Sequence, residues 1–427
     1  MLSSKRKIFY AICAAAGLAC LALALLRTYG GGEESSPFPL PPLPQLTNET
    51  FAFAELEKVD SVVQHFLKRW KINGASLAIA KDGRLRYVKG FGYADVELKA
   101  EVTPSHVFRV ASVSKLITAT AVMKLVEEGQ LSLDAKAFGS EGILSDSAFS
   151  KIRDERALQI TVKNLLEHSA GWDSSEADPM FMGHAIAAKL HTPVPVGVDN
   201  IIRYALSRPL SFDAGDHSSY SNLGYAILGR IVEKVTGTTY EDYVQKTLLL
   251  PMGIINMRLG NSYPPYLYAD EVSYYDAARA KPVAAFDNPR RRVPKCRGGY
   301  DIRTLGAAGG WVASPVALLR FMHCIDGRPE VPDILSPASI SKMVRNDSIF
   351  APLGWRMVSE QRWIRTGTLA GTSAAAVCDT SGWSWAFITN TTSRKGAEFP
   401  FVVEDMVNEA LQLLALPEGA IELKTKN

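Results

Sequence analysis

Strand patterns stand at both ends of the body of this chain, and helical patterns fill the space between them. Residues 76–80 and 85–88 are apolar strands around Lys81-Asp82-Gly83-Arg84, a turn sequence that closes a hairpin. Strand patterns return only near the far end, over 354–358, 363–365, 374–378 and 385–389, before a closing helix over 402–414. An amphipathic helix over 53–68 precedes the first strands, and an apolar helix over 116–126 stops before Gly129. Further helices start at 160 and cover 223–235 and 240–249. This order predicts an α/β (α+β) fold: an antiparallel sheet built from both ends of the body, flanked by helices, with a mainly helical region inserted.

The first fifty residues read differently. Residues 8–26 run for 19 positions without a charge, enough to cross a bilayer as one helix. Lys5, Arg6 and Lys7 precede the run and a lone Arg27 follows, which predicts a single-pass type II anchor with the body on the extracytoplasmic or lumenal side. A cleaved signal peptide, giving a secreted protein, is the first alternative, although Leu-Leu-Arg-Thr-Tyr fits a cleavage site poorly. A mitochondrial membrane location is the second. The segment after the run is Gly-rich and then Pro-rich, as a semi-extended spacer would be. The expected organisation is therefore a stub and anchor over 1–30, a linker over 31–50, one body over 51–417 and a tail over 418–427. Asn48, Asn346 and Asn390 each begin an N-x-Ser/Thr triplet and are glycosylation candidates in a lumenal body.

Charge and cysteine content exclude several classes. Of the formal net charge of +3, Lys5, Arg6, Lys7 and Arg27 supply four before the first acid, Glu33, so the remainder carries −1. A near-neutral body is not that of a nucleic-acid binder. Arg290, Arg291, Arg292, Lys295 and Arg297 form one basic cluster, read as a solvated loop rather than an anion site. Cys13 and Cys20 fall in the apolar run, which leaves Cys296, Cys324 and Cys378. Three thiols are not a disulfide framework, though one pair is allowed. Without C-x-x-C or H-E-x-x-H, and with scattered histidines, neither a metal site nor a cofactor is expected.

Chemistry enters at Ser112-Val113-Ser114-Lys115, which opens the most apolar helix of the body. A hydroxyl and an amine at i and i+3 share one face of a helix's first turn, where the helix's positive end disfavours an ammonium and favours an oxyanion. That is a serine nucleophile beside a resident base. The spacing alone is not specific, because Ser4 to Lys7 and Ser339 to Lys342 repeat it. Two further elements follow: Tyr220-Ser221-Asn222, and Arg365-Thr366-Gly367-Thr368 opening a strand. Singly they read as a half-buried aromatic, a helix cap and a strand-edge charge. In this order, with these flanks, three coincidences would be needed.

With its flanking stretches Phe108-Arg109-Val110-Ala111-Ser112, Ile160-Thr161-Val162-Lys163-Asn164-Leu165-Leu166-Glu167-His168-Ser169-Ala170-Gly171 and Ala308-Gly309-Gly310, the sequence resembles the serine β-lactamase and penicillin-binding protein superfamily over roughly 53–416. It is most similar to the class C-like branch, which includes eukaryotic β-lactamase-like proteins. The resemblance implies a β-lactamase/transpeptidase-like fold and carries roles onto matching positions. Ser112 would be acylated, Lys115 would accept its proton, and Tyr220 would share the relay. Asn222 would orient Lys115 and bond the substrate's amide or ester. The N–H groups of Ser112 and Thr368 would form the oxyanion hole, on a strand that presents Thr366 and Gly367. The motif departs from the family at Arg365, where Lys or His is usual; a planar cation there would favour substrates with a free carboxylate.

These readings imply a membrane-anchored serine hydrolase, an esterase, amidase or peptidase working through an acyl-serine intermediate on a small-molecule or peptide substrate. The competing readings are a catalytically weak scaffold or self-assembling membrane protein of the same fold, and an acyltransferase using the same residues. The intact Ser112, Lys115, Tyr220 and Asn222 speak against a scaffold.

Overall fold

The computed structural model describes residues 37–52, 56–175, 177–347 and 349–414. Helix α1 (Glu57–Trp70) leads into strands β1 (Gly74–Lys81), β2 (Arg84–Asp95) and β3 (Ala100–Glu101). The β1–β2 turn places Asp82 and Gly83 at φ 50° and 70°, the two positive values that a two-residue hairpin turn requires. The same sheet is completed by β9 (Met357–Val358), β10 (Arg362–Leu369), β11 (Thr372–Asp379) and β12 (Trp383–Thr389), in the order β3-β2-β1-β12-β11-β10-β9. β1 and β12 pair antiparallel, Leu77 opposite Phe387 and Ile79 opposite Trp385, so the two ends of the body do meet in one sheet.

Small strands β4 (Phe108–Arg109), β5 (Arg258–Leu259) and β8 (Trp311–Ala313) form a second sheet, and β6 (Val283–Ala285) pairs with β7 (Asn288–Val293). The inserted region begins with α2 (Ser114–Glu127), α3 (Val162–Leu166), α4 (Gly183–Leu190), α5 (Gly197–Leu206) and α6 (Asn222–Thr236). It continues through α7 (Tyr240–Val244), α8 (Ile302–Gly309), α9 (Pro315–His323) and α10 (Pro337–Met343), and α11 (Phe399–Leu414) closes the described chain.

Packing explains why β1 reads as an almost continuous apolar run. Its odd positions Ala75, Leu77 and Ile79 face a core with Val63 and Phe66 of α1 and Phe399 and Val403 of α11. Phe66 meets Phe387 edge-on at 6.2 Å and Phe399 at 5.7 Å. Removing a ring of this kind costs about 3–5 kcal/mol, so this layer fixes the sheet beneath the site. The opposite face is covered by α9, and α2 is buried nearly all round, including the side chain of Lys115.

Several expectations need correction. The helix expected over 240–249 stops at Val244 and widens into a π turn over Gln245–Leu249. The strand expected over 354–358 shortens to Met357–Val358, because Gly354, at φ 79°, is pressed against Ala119 of α2. The linker expected over 31–50 is not free along its length: Leu46 is buried and its carbonyl accepts from Ser105 Oγ at 2.9 Å. Asn390 is fully buried and donates to the Tyr93 carbonyl, so it is no glycosylation acceptor, whereas Asn346 is exposed. Asn48 spends its amide on Val102 O and Gly90 N–H, which ties it to the fold. Cys296, Cys324 and Cys378 are all buried and free, so the allowed disulfide does not form. The type II membrane topology is also withdrawn: among the described residues no helix is long and apolar enough to cross a membrane, and 8–26 lie outside the described residues.

Candidate active site

The nucleophile turn is built where β4 ends. Residues Ala111–Val113 form a 3-10 turn that runs into α2, and Ala111 sits at φ 47°, a conformation a residue with a Cβ holds only under constraint. The constraint is visible. Val110 N–H donates to Trp311 O at 3.0 Å, and the Thr372 hydroxyl donates to Arg109 O at 2.6 Å. Gly367 of β10 lets that strand run directly against the turn; a Cβ there would lie 2.2 Å from Val110 O and 2.8 Å from Ser112 N. Thr366 and Thr368 are thereby held along the cleft edge.

Ser112, Lys115, Tyr220 and Asn222 converge. Ser112 Oγ and the Tyr220 hydroxyl lie 2.6 Å apart, and Lys115 Nζ stands 3.4 Å from Ser112 Oγ. Lys115 also donates to Asn222 Oδ1 at 2.6 Å and to the Ala308 carbonyl at 2.5 Å. Residues 108 positions apart in the chain thus share one hydrogen bond. A cavity of about 290 Å3 opens over them, with Phe181, Arg356 and Leu369 among its walls. A larger groove of about 650 Å3 lies between Trp70, Tyr275, Arg297 and Arg394; it contains none of the converging groups, and so is not the reactive site.

Burial holds the Lys115 amine below its ordinary range, against the opposing pull of Tyr220. For Tyr220 burial works upward, but the cations of Lys115 and Arg365 outweigh it and the phenol is lowered. A base that is easier to deprotonate beside a phenol that is easier to ionise is a short proton relay to one hydroxyl.

Arg365 lines this cavity, but not as an exposed side chain. Its side chain is buried, and its Nε donates to the Ser112 backbone carbonyl at 2.7 Å. One edge of the guanidinium is therefore bonded beneath the nucleophile. Exposed Arg356 lines the same cavity. Asn222 accepts from Lys115 through Oδ1 and gives one of its two Nδ2 hydrogens to Asp178 Oδ2 at 2.6 Å.

Two residues escaped the sequence reading. His168 is buried at φ 60°; its Nδ1 accepts the Ser221 N–H at 3.1 Å, and its ring lies 4.7 Å from that of Tyr220. Burial, with the cations of Lys115 and Arg365, holds it far below the usual imidazole range, so it stays a neutral acceptor backing the phenol. Asp178 had no flanking pattern to reveal it. Among the described residues no group of three metal-ligating side chains occurs.

Fold and site together define a β-lactamase/transpeptidase-type protein, and the chain belongs to the beta-lactamase family, whose model matches residues 59–399. A curated relative, Protein flp of Staphylococcus aureus (strain COL), is 27% identical over 209 residues, which are 49% of this chain and 38% of that protein. The chain thus spans about two fifths of the length of the curated relatives it matches. Among solved structures, the octameric penicillin-binding protein homologue from Pyrococcus abyssi superposes with a TM-score of 0.62 at 24% identity, covering 84% of this chain and 77% of that one. The D-amino acid amidase from Ochrobactrum anthropi SV3 gives 0.65 at 21% identity, covering 85% and 99%. At these identities both establish the fold alone.

Proposed function

We propose that this protein is a serine hydrolase that opens an ester or amide through an acyl-Ser112 intermediate. The observation that carries the reading is the pair of contacts at the Ser112 hydroxyl: 2.6 Å to the Tyr220 phenol oxygen and 3.4 Å to Lys115 Nζ. Ser112 Oγ attacks the carbonyl carbon while its proton passes to the Tyr220–Lys115 relay. The oxyanion is met by the N–H groups of Ser112 and Thr368; one such donor is worth about 3 kcal/mol in a transition state. The relay then protonates the departing alcohol or amine. Water attacks the acyl group in turn, gives its proton to the same relay, and Ser112 recovers its hydrogen as the acid departs.

The fold shared with a D-amino acid amidase is consistent with an amide or ester substrate. Arg356, at the cavity wall and exposed, is the group suited to a substrate carboxylate. A fluorophosphonate probe followed by peptide mapping tests the reading. Labelling at Ser112 that disappears in Ser112→Ala is expected; a folded protein that labels nowhere would overturn the reading in favour of the competing scaffold.

A further inference from the structure

Asp178 touches no reacting atom, yet it determines which end of the Asn222 amide Lys115 meets. As a base, Lys115 has two N–H bonds and one lone pair. Its two short contacts, the Ala308 carbonyl at 2.5 Å and Asn222 Oδ1 at 2.6 Å, are to acceptors and take both hydrogens. The lone pair is left for the third neighbour, Ser112 Oγ at 3.4 Å.

The Ala308 carbonyl is backbone and cannot change character. The Asn222 amide can. Its two ends are nearly equal in size, and turned over it would aim an N–H at the amine and draw the lone pair away from Ser112. Asp178 prevents this. Its Oδ2 lies 2.6 Å from Asn222 Nδ2, and a carboxylate only accepts, so Oδ1 must face Lys115. Asp178 is itself held, because its Oδ1 accepts the Met180 N–H at 3.0 Å and caps the short turn Pro179–Phe181. Neighbouring contacts tie the same segment to the tyrosine motif: Ser174 Oγ donates to Tyr220 O at 2.6 Å, and Ser219 Oγ to Asp173 Oδ1 at 3.1 Å.

We propose that Asp178 is a positioning residue of the reaction, fixing the Asn222 amide so that the Lys115 lone pair points at Ser112. The inference rests on the acyl-serine reading.

Asp178→Asn separates polarity from shape. The amide keeps an oxygen to cap the turn at Met180, but it offers an N–H to Asn222, whose oxygen then turns toward it and away from Lys115. Fluorophosphonate acylation of Ser112 should slow about 10- to 100-fold, part of the ~10²–10⁴ that a positioned base supplies. Probe affinity should be unchanged. The pH profile carries the second readout. Lys115 is faced by the Tyr220 and Tyr225 rings, Arg365, His168 and Asp178, and of these the Asp178 charge favours the ammonium. Asp178→Asn should therefore move the rising limb of the acylation rate to lower pH, with a lower plateau. Combining it with Asn222→Asp restores an acceptor beside Lys115; the rate should recover at least tenfold over the single variant, with the limb above the wild-type position.

A wild-type protein that fails to label at Ser112 would overturn the acyl-serine reading and this inference with it. Wild-type labelling together with an unchanged rate and limb in Asp178→Asn would overturn this inference alone. So would a double variant no faster than the single one, which is the result expected if Asp178 served only to hold the fold.

Discussion

Arg365 Nε donates to the carbonyl oxygen of Ser112 at 2.7 Å, so the cation of the third motif is bonded to the nucleophile's own backbone. Both Arg365 and Arg356 border the cleft, but Arg365 has 1% of its surface exposed and can offer little to a substrate, whereas Arg356 is open to it. The two arginines should therefore separate in kinetics. Arg356→Ala should raise KM for a carboxylate-bearing substrate by about tenfold, the loss of one charge-assisted hydrogen bond, and leave a neutral ester unaffected. Arg365→Ala should lower kcat for both by about tenfold or more, because it leaves a buried carbonyl without its donor. Equal KM effects of Arg356→Ala on the two substrates would defeat the assignment.

The proton relay has a pH signature. Lys115 must be uncharged to accept the Ser112 proton, and burial has lowered its pKa from 10.5. A basic group with a depressed pKa becomes active as pH rises through that value. Acylation of Ser112 should thus climb with pH, on a limb whose midpoint lies below 10.5. Tyr220→Phe should lower the plateau by about 10²-fold or more while leaving a limb, since the phenol is the nearer partner of Ser112 but not the only base. A limb that survives in Lys115→Ala would assign the titration to another group.

How far these positions could be read beforehand depends on how local their causes are. The Asp82-Gly83 hairpin is decided by neighbouring residues and stands where the sequence places it. The meeting of β1 with β12 was legible from strand patterns at the two ends. Ser112, Lys115 and Tyr220 were legible through motif order. The direction of the Arg365 side chain was not, because it depends on β10 lying against the Ala111–Val113 turn, a contact between segments 253 positions apart. Asp178 was hidden for the same reason: only the folded chain brings it to Asn222.

Gly367 marks the tightest of these long-range contacts. A methyl group there would meet backbone atoms of the nucleophile turn, Val110 O at 2.2 Å and Ser112 N at 2.8 Å, which cannot swing aside as a side chain would. Gly367→Ala should push β10 off the turn and displace the Ser112 and Thr368 N–H groups from each other. The expected result is a loss of at least about 10²-fold in acylation, comparable to removing an oxyanion donor, in a protein that keeps its far-UV CD spectrum. Retained acylation would show that strand and turn are not coupled in this way.

Away from the site, Asp326 gives the fold its own pH dependence. It is 7% exposed and accepts the Arg328 N–H at 3.0 Å, yet burial pushes its carboxyl up to about 7, with Asp333 and Glu330 adding to the effect and Arg328 opposing it. The folded chain then holds this proton more tightly than the unfolded chain, where an aspartate titrates near ~3.9. Below about pH 4 both states are protonated and the group is neutral toward stability; as pH rises to about 7 the folded state is penalised, by at most about 4 kcal/mol. His323, pushed down to about 4 by burial, slopes the other way, but it is common to both proteins in a comparison with Asp326→Asn. The amide keeps an oxygen for Arg328 and never ionises. Urea unfolding should therefore find the variant more stable than wild type at pH 8 and indistinguishable from it at pH 4. A stability difference that does not change between those two pH values would show that Asp326 is not held protonated by the fold.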